Sequence, residues 1–145
     1  MKEKRVLAIM MVMVTILACS TMVFAESYNS TLSVTTQWDG SSRSFSSGST
    51  LYCNCFNTYL DTPFAQQHSS DMLYIQALKN DFAWIIYHKV GSEVGTTVYS
   101  NGYTSVYSSF PMDGSGSYKF RFTKRDSSWG AQEAIKSNNV QMTSA

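Results

Sequence analysis

The chain has 145 residues and a formal net charge of +1. That length fits one domain with its own core behind a short leader, and a charge so near balance gives no basis for nucleic-acid or strongly acidic partners. Beyond the leader the composition is rich in Ser, Thr, Tyr and Gly and poor in Leu, Ala and Glu, which excludes a helical bundle and points to strands and turns.

The N-terminus comes first. Lys2, Lys4 and Arg5 precede the apolar run Val6–Ala18, and Val23-Phe24-Ala25 ends it with an aliphatic residue at −3 and Ala at −1. Basic, apolar and small-residue regions in that order form a secretory signal peptide. Residues 1–25 are therefore expected to be removed, leaving a secreted domain of residues 26–145 with a charge of about −1. N-terminal sequencing of the exported chain reads this directly, with Glu26 expected first. Two rivals stand beside it. Ile16-Leu17-Ala18-Cys19 is a degraded lipid-attachment box, which would anchor the protein at Cys19, although Leu17 is bulky for its position. A retained span is the other, but the apolar run is shorter than the ~20 residues a bilayer needs. No stable membrane span is expected in the mature form.

Thr31–Trp38 alternates, with Leu32, Val34, Thr36 and Trp38 on one face, and predicts a half-buried strand. Leu51–Tyr59 predicts a second, with Leu51, Cys53 and Cys55 facing one way and Tyr52, Asn54 and Phe56 the other. Ser70–Asp81 fits a capped helix or a strand; its strand neighbours favour a strand with Leu73, Ile75 and Ala77 inward and Tyr74 and Gln76 outward. Lys79-Asn80-Asp81 then reads as a turn. Phe82–Val90 follows as a central strand, apolar on both faces around Trp84-Ile85-Ile86-Tyr87. Asn101-Gly102 between Val98-Tyr99-Ser100 and Tyr103–Val106 predicts a hairpin closed by a type I′ turn. Pro111–Gly116 is a turn, and Ser117–Thr123 a strand with Tyr118, Phe120 and Phe122 inward and Lys119, Arg121 and Thr123 outward. Gln132–Lys136 reads as a short helix and Asn139–Met142 as a last edge strand. The expected fold is all-β, a small antiparallel sandwich or open barrel.

Few residues carry recognisable chemistry. Cys53 and Cys55 lie two apart on one strand face, so they form either a strained redox pair or two small core residues. Extended backbone holds their Cα atoms roughly 6.5–7 Å apart, at the limit of disulfide geometry, and no cation lies near in sequence to activate a thiol. His68 and His88 match no zinc spacing with that pair, and no metal or cofactor is expected. Neither histidine sits in a nucleophile motif. Asp39, Asp61, Asp71, Asp81, Glu93, Asp113 and Asp126 mostly neighbour turn residues, so turn and cap roles are expected for them. An enzyme is not expected.

The remaining candidates are surfaces. Lys119, Arg121, Lys124 and Arg125 form the densest basic cluster, with Lys119 and Arg121 side by side on the outer face as a stripe that suits either an anionic wall polymer or lipid headgroups, or else protection of a sheet edge and solubility. Trp38, Trp129 and the tyrosines Tyr99, Tyr103 and Tyr107 are the candidate ligand-binding aromatics, whose rings stack on sugars or anchor a protein partner. The leader, the Ser/Thr/Tyr-rich strands and the segment Gly116-Ser117-Tyr118-Lys119-Phe120-Arg121-Phe122-Thr123 resemble small exported β-sandwich proteins of Gram-positive bacteria. The chain is also loosely similar to secreted sandwich bacteriocins, though long for one. The resemblance implies export and a sandwich fold but transfers no site residue. The expected function is a secreted, non-catalytic binding domain for cell-wall polymer, glycan or another surface protein. A bacteriocin-like toxin and a thiol-exchange protein using Cys53 and Cys55 are the alternatives.

Overall fold

A computed structural model of the chain describes residues 26–46, 48–62, 68–82, 85–124 and 133–145. Residues 1–25 with Cys19, and Trp84, Arg125, Asp126 and Trp129, lie outside the described residues. The described residues include nine strands, β1 (Ser27–Val34), β2 (Gln37–Asp39), β3 (Arg43–Phe45), β4 (Thr50–Asp61), β5 (Ser70–Phe82), β6 (Ile86–Tyr99), β7 (Thr104–Pro111), β8 (Gly116–Lys124) and β9 (Ala134–Ser144). They form two antiparallel sheets packed as a small β-sandwich. The first runs β1-β9-β4-β7, the second β2-β8-β5-β6, and β3 pairs with β8 on the same edge as β2.

Alternation decides which side chains lie between the sheets. Leu51, Cys53 and Cys55 on β4 face Leu73, Ile75 and Ala77 on β5 and Tyr118, Phe120 and Phe122 on β8, all of them buried as expected. Phe110 of β7 meets Phe120 of β8 across the gap, ring centroids 5.9 Å apart. Each such ring contributes roughly 1.5–3 kcal/mol by leaving water. Both thiols are free and fully buried. Burial, with the neighbouring Cys55 thiol, pushes the Cys53 thiol well above its usual range.

Several expectations are corrected. The run Thr31–Trp38 is two strands, because the chain bends at Thr35-Thr36 and passes from the first sheet to the second. Leu32 and Val34 are buried, Thr36 is exposed, and Trp38 packs on the core from the other sheet. Ser70–Asp81 is indeed strand, but Lys79-Asn80-Asp81 lies inside β5 and not in a turn. The chain reverses after Phe82, where the Ile85 amide donates to the Phe82 carbonyl at 3.1 Å. Of the central strand expected over Phe82–Val90, Phe82 ends β5, Ile85 lies in the turn, and Ile86–Val90 belong to an edge strand, since β6 pairs with β5 alone among the described residues. Gln76 is on the outward side yet buried. A bulge between Val90 and Val94 opposite it gives its amide nitrogen the carbonyls of Ala77, Val90 and Gly91 at 3.0–3.3 Å. Residues 134–136 are strand, not helix, and β9 is a central strand between β1 and β4 rather than an edge.

The Asn101-Gly102 hairpin is also overturned. Tyr99 pairs with Ser70 in the second sheet, while Thr104 pairs with Thr58 in the first. The connection arches between sheets, and neither Asn101 nor Gly102 has positive φ. An Asn-Gly pair signals a tight turn only if the strands beside it pair with each other. Gly91 is under constraint in both conformation and space. Its φ is +69°, and a Cβ there would lie 2.8 Å from Pro111 Cδ, where the two sheets meet. Gly91→Ala is expected to cost about 1–3 kcal/mol. Gly102→Val, with open space around its Cβ, is expected to stay within about 0.5 kcal/mol. Urea unfolding of the two variants checks the pair, and a larger cost at Gly102 would contradict the arch.

Candidate functional site

The outward side chains of the first sheet form the most developed surface. Tyr52, Asn54 and Phe56 leave β4 opposite the buried Leu51, Cys53 and Cys55. An extra residue then enters β4. Asn57 takes φ 51°, the register with β7 shifts between Cys55 and Thr58, and the parity of the strand reverses. Thr58 and Leu60 turn inward, and Tyr59 comes out on the same face as Phe56. Bulges re-aim side chains in this way. From β7, Tyr107 stands beside Asn54 and Ser109 beside Tyr52; from β9, Gln141 and Thr143 flank the same two residues.

The rings organise this face. Phe56 and Tyr107 meet edge-to-face at 5.9 Å, and Tyr59 and Tyr103 at 5.4 Å, both at 83°. Tyr103 and Tyr107 are 70% and 65% exposed, so the pairs stand up from the sheet. Two open grooves result. One, of about 260 Å³, has Tyr52, Asn54, Tyr107 and Ser109 in its walls. The other, of about 370 Å³, lies between Tyr59, Tyr103 and the 100–102 arch. The charges on this face among the described residues are Lys136 and Asp61, paired at 2.5 Å at one end. The rest is ring, amide and hydroxyl.

The residues expected to bind divide between surfaces. Tyr103 and Tyr107 belong to this face. Tyr99 does not join them, because β6 carries it in the other sheet, where it is exposed. Trp38 is half-buried and stacked on Phe122 at 5.7 Å, a core contact. Tyr52, Asn54, Phe56 and Tyr59 were not singled out in the sequence. Their alternation against Leu51, Cys53 and Cys55 was visible, but the bulge that adds Tyr59 was not.

Lys119 and Arg121 stand side by side on the outer face of the second sheet, but not as free cations. Arg121 makes a two-pronged contact with Asp39 at 2.7 and 2.9 Å, and Lys119 reaches the same carboxylate at 2.9 Å. The Lys119 ammonium also lies 4.0 Å from the Tyr87 ring centroid. Protection of an edge is not their role, since β8 is interior to its sheet. Lys124, in the same basic cluster, faces the other way. It follows the parity of Phe120 and Phe122 into the interior, where its amine is fully buried 2.9 Å from Asp71 and 3.9 Å from Glu133. The turn-and-cap expectation fails for Asp39, Asp61, Asp71 and Asp81, which are strand residues, the first three held in ion pairs and Asp81 in contact with His88.

A last surface is apolar. At the β5–β6 turn Phe82, Ile85 and Ile86 are 69%, 81% and 54% exposed. The ribbon there extends past its last pairing with β8, at Lys79. Behind it His88 contacts Asp81 at 2.6 Å and Asp113 at 3.4 Å.

The Asp39 contacts give a pH test. The Arg121 guanidinium, helped by Lys119 and opposed by partial burial, holds the Asp39 carboxyl at about 2, below its ordinary 3.8. A lowered carboxyl stabilises the fold fully above about 3.8, and that contribution is lost as pH falls through about 2. Asp39→Asn is expected to cost on the order of 1 kcal/mol at neutral pH, after allowance for solvent screening. The gap from the wild type should close on acid titration, as followed by thermal melts; a gap independent of pH would contradict the contact. Sequence comparison adds no relative: the chain matches no protein-family model, and no curated protein is significantly similar to it.

Proposed function

We propose that this is an exported, non-catalytic binding domain whose first sheet docks on an uncharged glycan of the cell wall or cell surface. The observation that carries the reading is the uncharged aromatic and amide seam along β4 and β7, with its two open grooves. Sugar rings present apolar C–H faces and hydroxyl edges. Tyrosines take the faces, and Asn54, Gln141 and Ser109 offer donors and acceptors to the edges. An acidic polymer would call for cations, and among the described residues this face has one, already paired with Asp61. Grooves open at the surface suit a chain passing along the sheet. Binding rather than turnover is favoured because, among the described residues, no histidine lies along the seam and its one carboxylate is engaged. The buried thiols leave a disulfide substrate no approach.

Retention on insoluble neutral polysaccharides (cellulose, chitin, xylan) and on purified peptidoglycan tests the reading. Tyr107→Ala and Tyr52→Ala should weaken binding about tenfold or more, or ~1.4 kcal/mol. Tyr99→Ala, on the other sheet, should leave it unchanged. No retention on any polymer, or equal binding by Tyr107→Ala, would remove the proposal.

The toxin-like reading has one observation in its favour, the exposed apolar tip at Phe82, Ile85 and Ile86. Aromatic and aliphatic side chains at the end of a ribbon can enter a lipid interface. It expects co-sedimentation with phosphatidylcholine–phosphatidylglycerol vesicles that Ile85→Ser abolishes. A wild-type protein that stays in the supernatant rules it out.

A further inference from the structure

Three ionisable groups meet inside the sandwich, and nothing in glycan binding uses them. Lys124 continues the inward row of Tyr118, Phe120 and Phe122 on β8. Asp71 begins the inward row of Leu73, Ile75 and Ala77 on β5. Glu133 precedes the inward Ile135 of β9, so it enters from the other sheet. The side chains of Lys124 and Glu133 are wholly buried and that of Asp71 is 1% exposed. Removing an ammonium and two carboxylates from water is costly, and hydrophobic packing of the same volume would often do better. A cluster retained at such cost invites a chemical explanation.

Its geometry is that of reactants. Lys124 Nζ lies 2.9 Å from Asp71 Oδ2. The approach is a close ion contact and not a directed hydrogen bond, and both atoms otherwise lack a hydrogen-bond partner among the described residues. Asp71 Oδ1 is occupied, accepting the Met72 amide at 2.6 Å. Glu133 is held in place by His68, whose backbone amide donates to Oε1 at 2.9 Å and whose Nδ1 lies 3.1 Å from Oε2. That leaves Glu133 Oε2 3.9 Å from the amine.

We infer that Lys124 and Asp71 are joined by an intramolecular isopeptide bond, formed with Glu133 as the acid–base group. A proton passes from the ammonium to the Asp71 carboxylate, giving a neutral amine beside a neutral acid, the forms that a dry interior favours. Nζ then attacks Cγ. Charge gathering on Oδ1 is met by the Met72 amide, already in place. Glu133 takes a proton from the nitrogen and gives it to the departing hydroxyl. The Nζ–Cγ bond forms, the Cγ–Oδ2 bond breaks and one water leaves; Glu133 ends as it began, and nothing is oxidised or reduced. Fixed proximity stands in for the activation that amide formation otherwise needs. The bond removes two buried charges and clamps β5 to β8 at one end of the sheet.

Intact-mass spectrometry of the folded, denatured-on-injection protein tests this. The wild type should be lighter than its sequence by one water, and a proteolytic digest should contain a branched peptide joining the segments around Asp71 and Lys124. Lys124→Arg and Asp71→Ala should have their full masses. Glu133→Gln should fold, by its far-ultraviolet circular dichroism, and also keep its full mass. A wild type of full mass overturns the inference whether or not any variant folds. So does a water loss that persists in Lys124→Arg, which would place it elsewhere, for example in cyclisation of an N-terminal Glu26. A folded Glu133→Gln that still loses water would overturn the role given to Glu133.

Discussion

The extra residue that β4 and β9 each accommodate governs the first sheet. Before it, odd-numbered residues of β4 point inward; after it, Thr58 and Leu60 do. On β9 the same step falls at Asn138-Asn139, with Val140 and Met142 inward on one side and Ile135 and Ser137 on the other. Because the steps lie side by side, the two strands stay in constant register from Leu51 to Asp61. The bulge is closed by buried hydroxyls. Thr58 donates to the Cys55 carbonyl at 3.1 Å and Ser137 to the Phe56 carbonyl at 2.7 Å. These bonds satisfy backbone groups that an interrupted ladder would leave unpaired inside the protein. The parity change sends Leu60 into the core and Tyr59 out beside Tyr103, which makes the second groove.

Period-two patterning was legible wherever a strand is straight and covered on one side. Tyr118, Phe120 and Phe122 on β8 and Leu51, Cys53 and Cys55 on β4 are such cases. It failed where the chain changes partner. Asn101-Gly102 looks like a hairpin turn, but turn residues fit an arch between sheets equally well, and pairing is a long-range property. Phe82 to Tyr87 looks like a buried central strand because it is apolar throughout. Apolar residues at an exposed ribbon end give the same local pattern. The short polar stretch at Asn138-Asn139 hid one central strand by breaking its alternation. Half of the candidate face was legible for the same reasons. Tyr103 and Tyr107 were visible as exposed strand aromatics, whereas their partners Phe56 and Tyr59 depend on pairing between β4 and β7.

Charge is distributed according to burial. Asp39 serves both Arg121 and Lys119 on the surface of the second sheet, where water tempers each contact. Lys124 belongs to the same basic cluster, three and five residues on, an odd spacing that reverses its parity. Its inward parity at the end of β8 places it beside Asp71 and Glu133 with no water to share the charge. One basic cluster thus holds two kinds of lysine, separated by the alternation of β8. The β4–β7 face, in contrast, is left almost without charge among the described residues, and presents ring faces and amides.

The central claim is that the β4–β7 seam is the surface that meets the ligand. Backbone amide shifts followed by nuclear magnetic resonance, during titration with a soluble neutral oligosaccharide from the polymer that retains the protein, locate contact without any substitution. The account predicts perturbations confined to Tyr52–Tyr59, Tyr103–Ser109 and Asn139–Thr143, with the second sheet silent. Perturbations centred on Phe82, Ile85 and Ile86, or on the Lys119–Arg121 face, would contradict it.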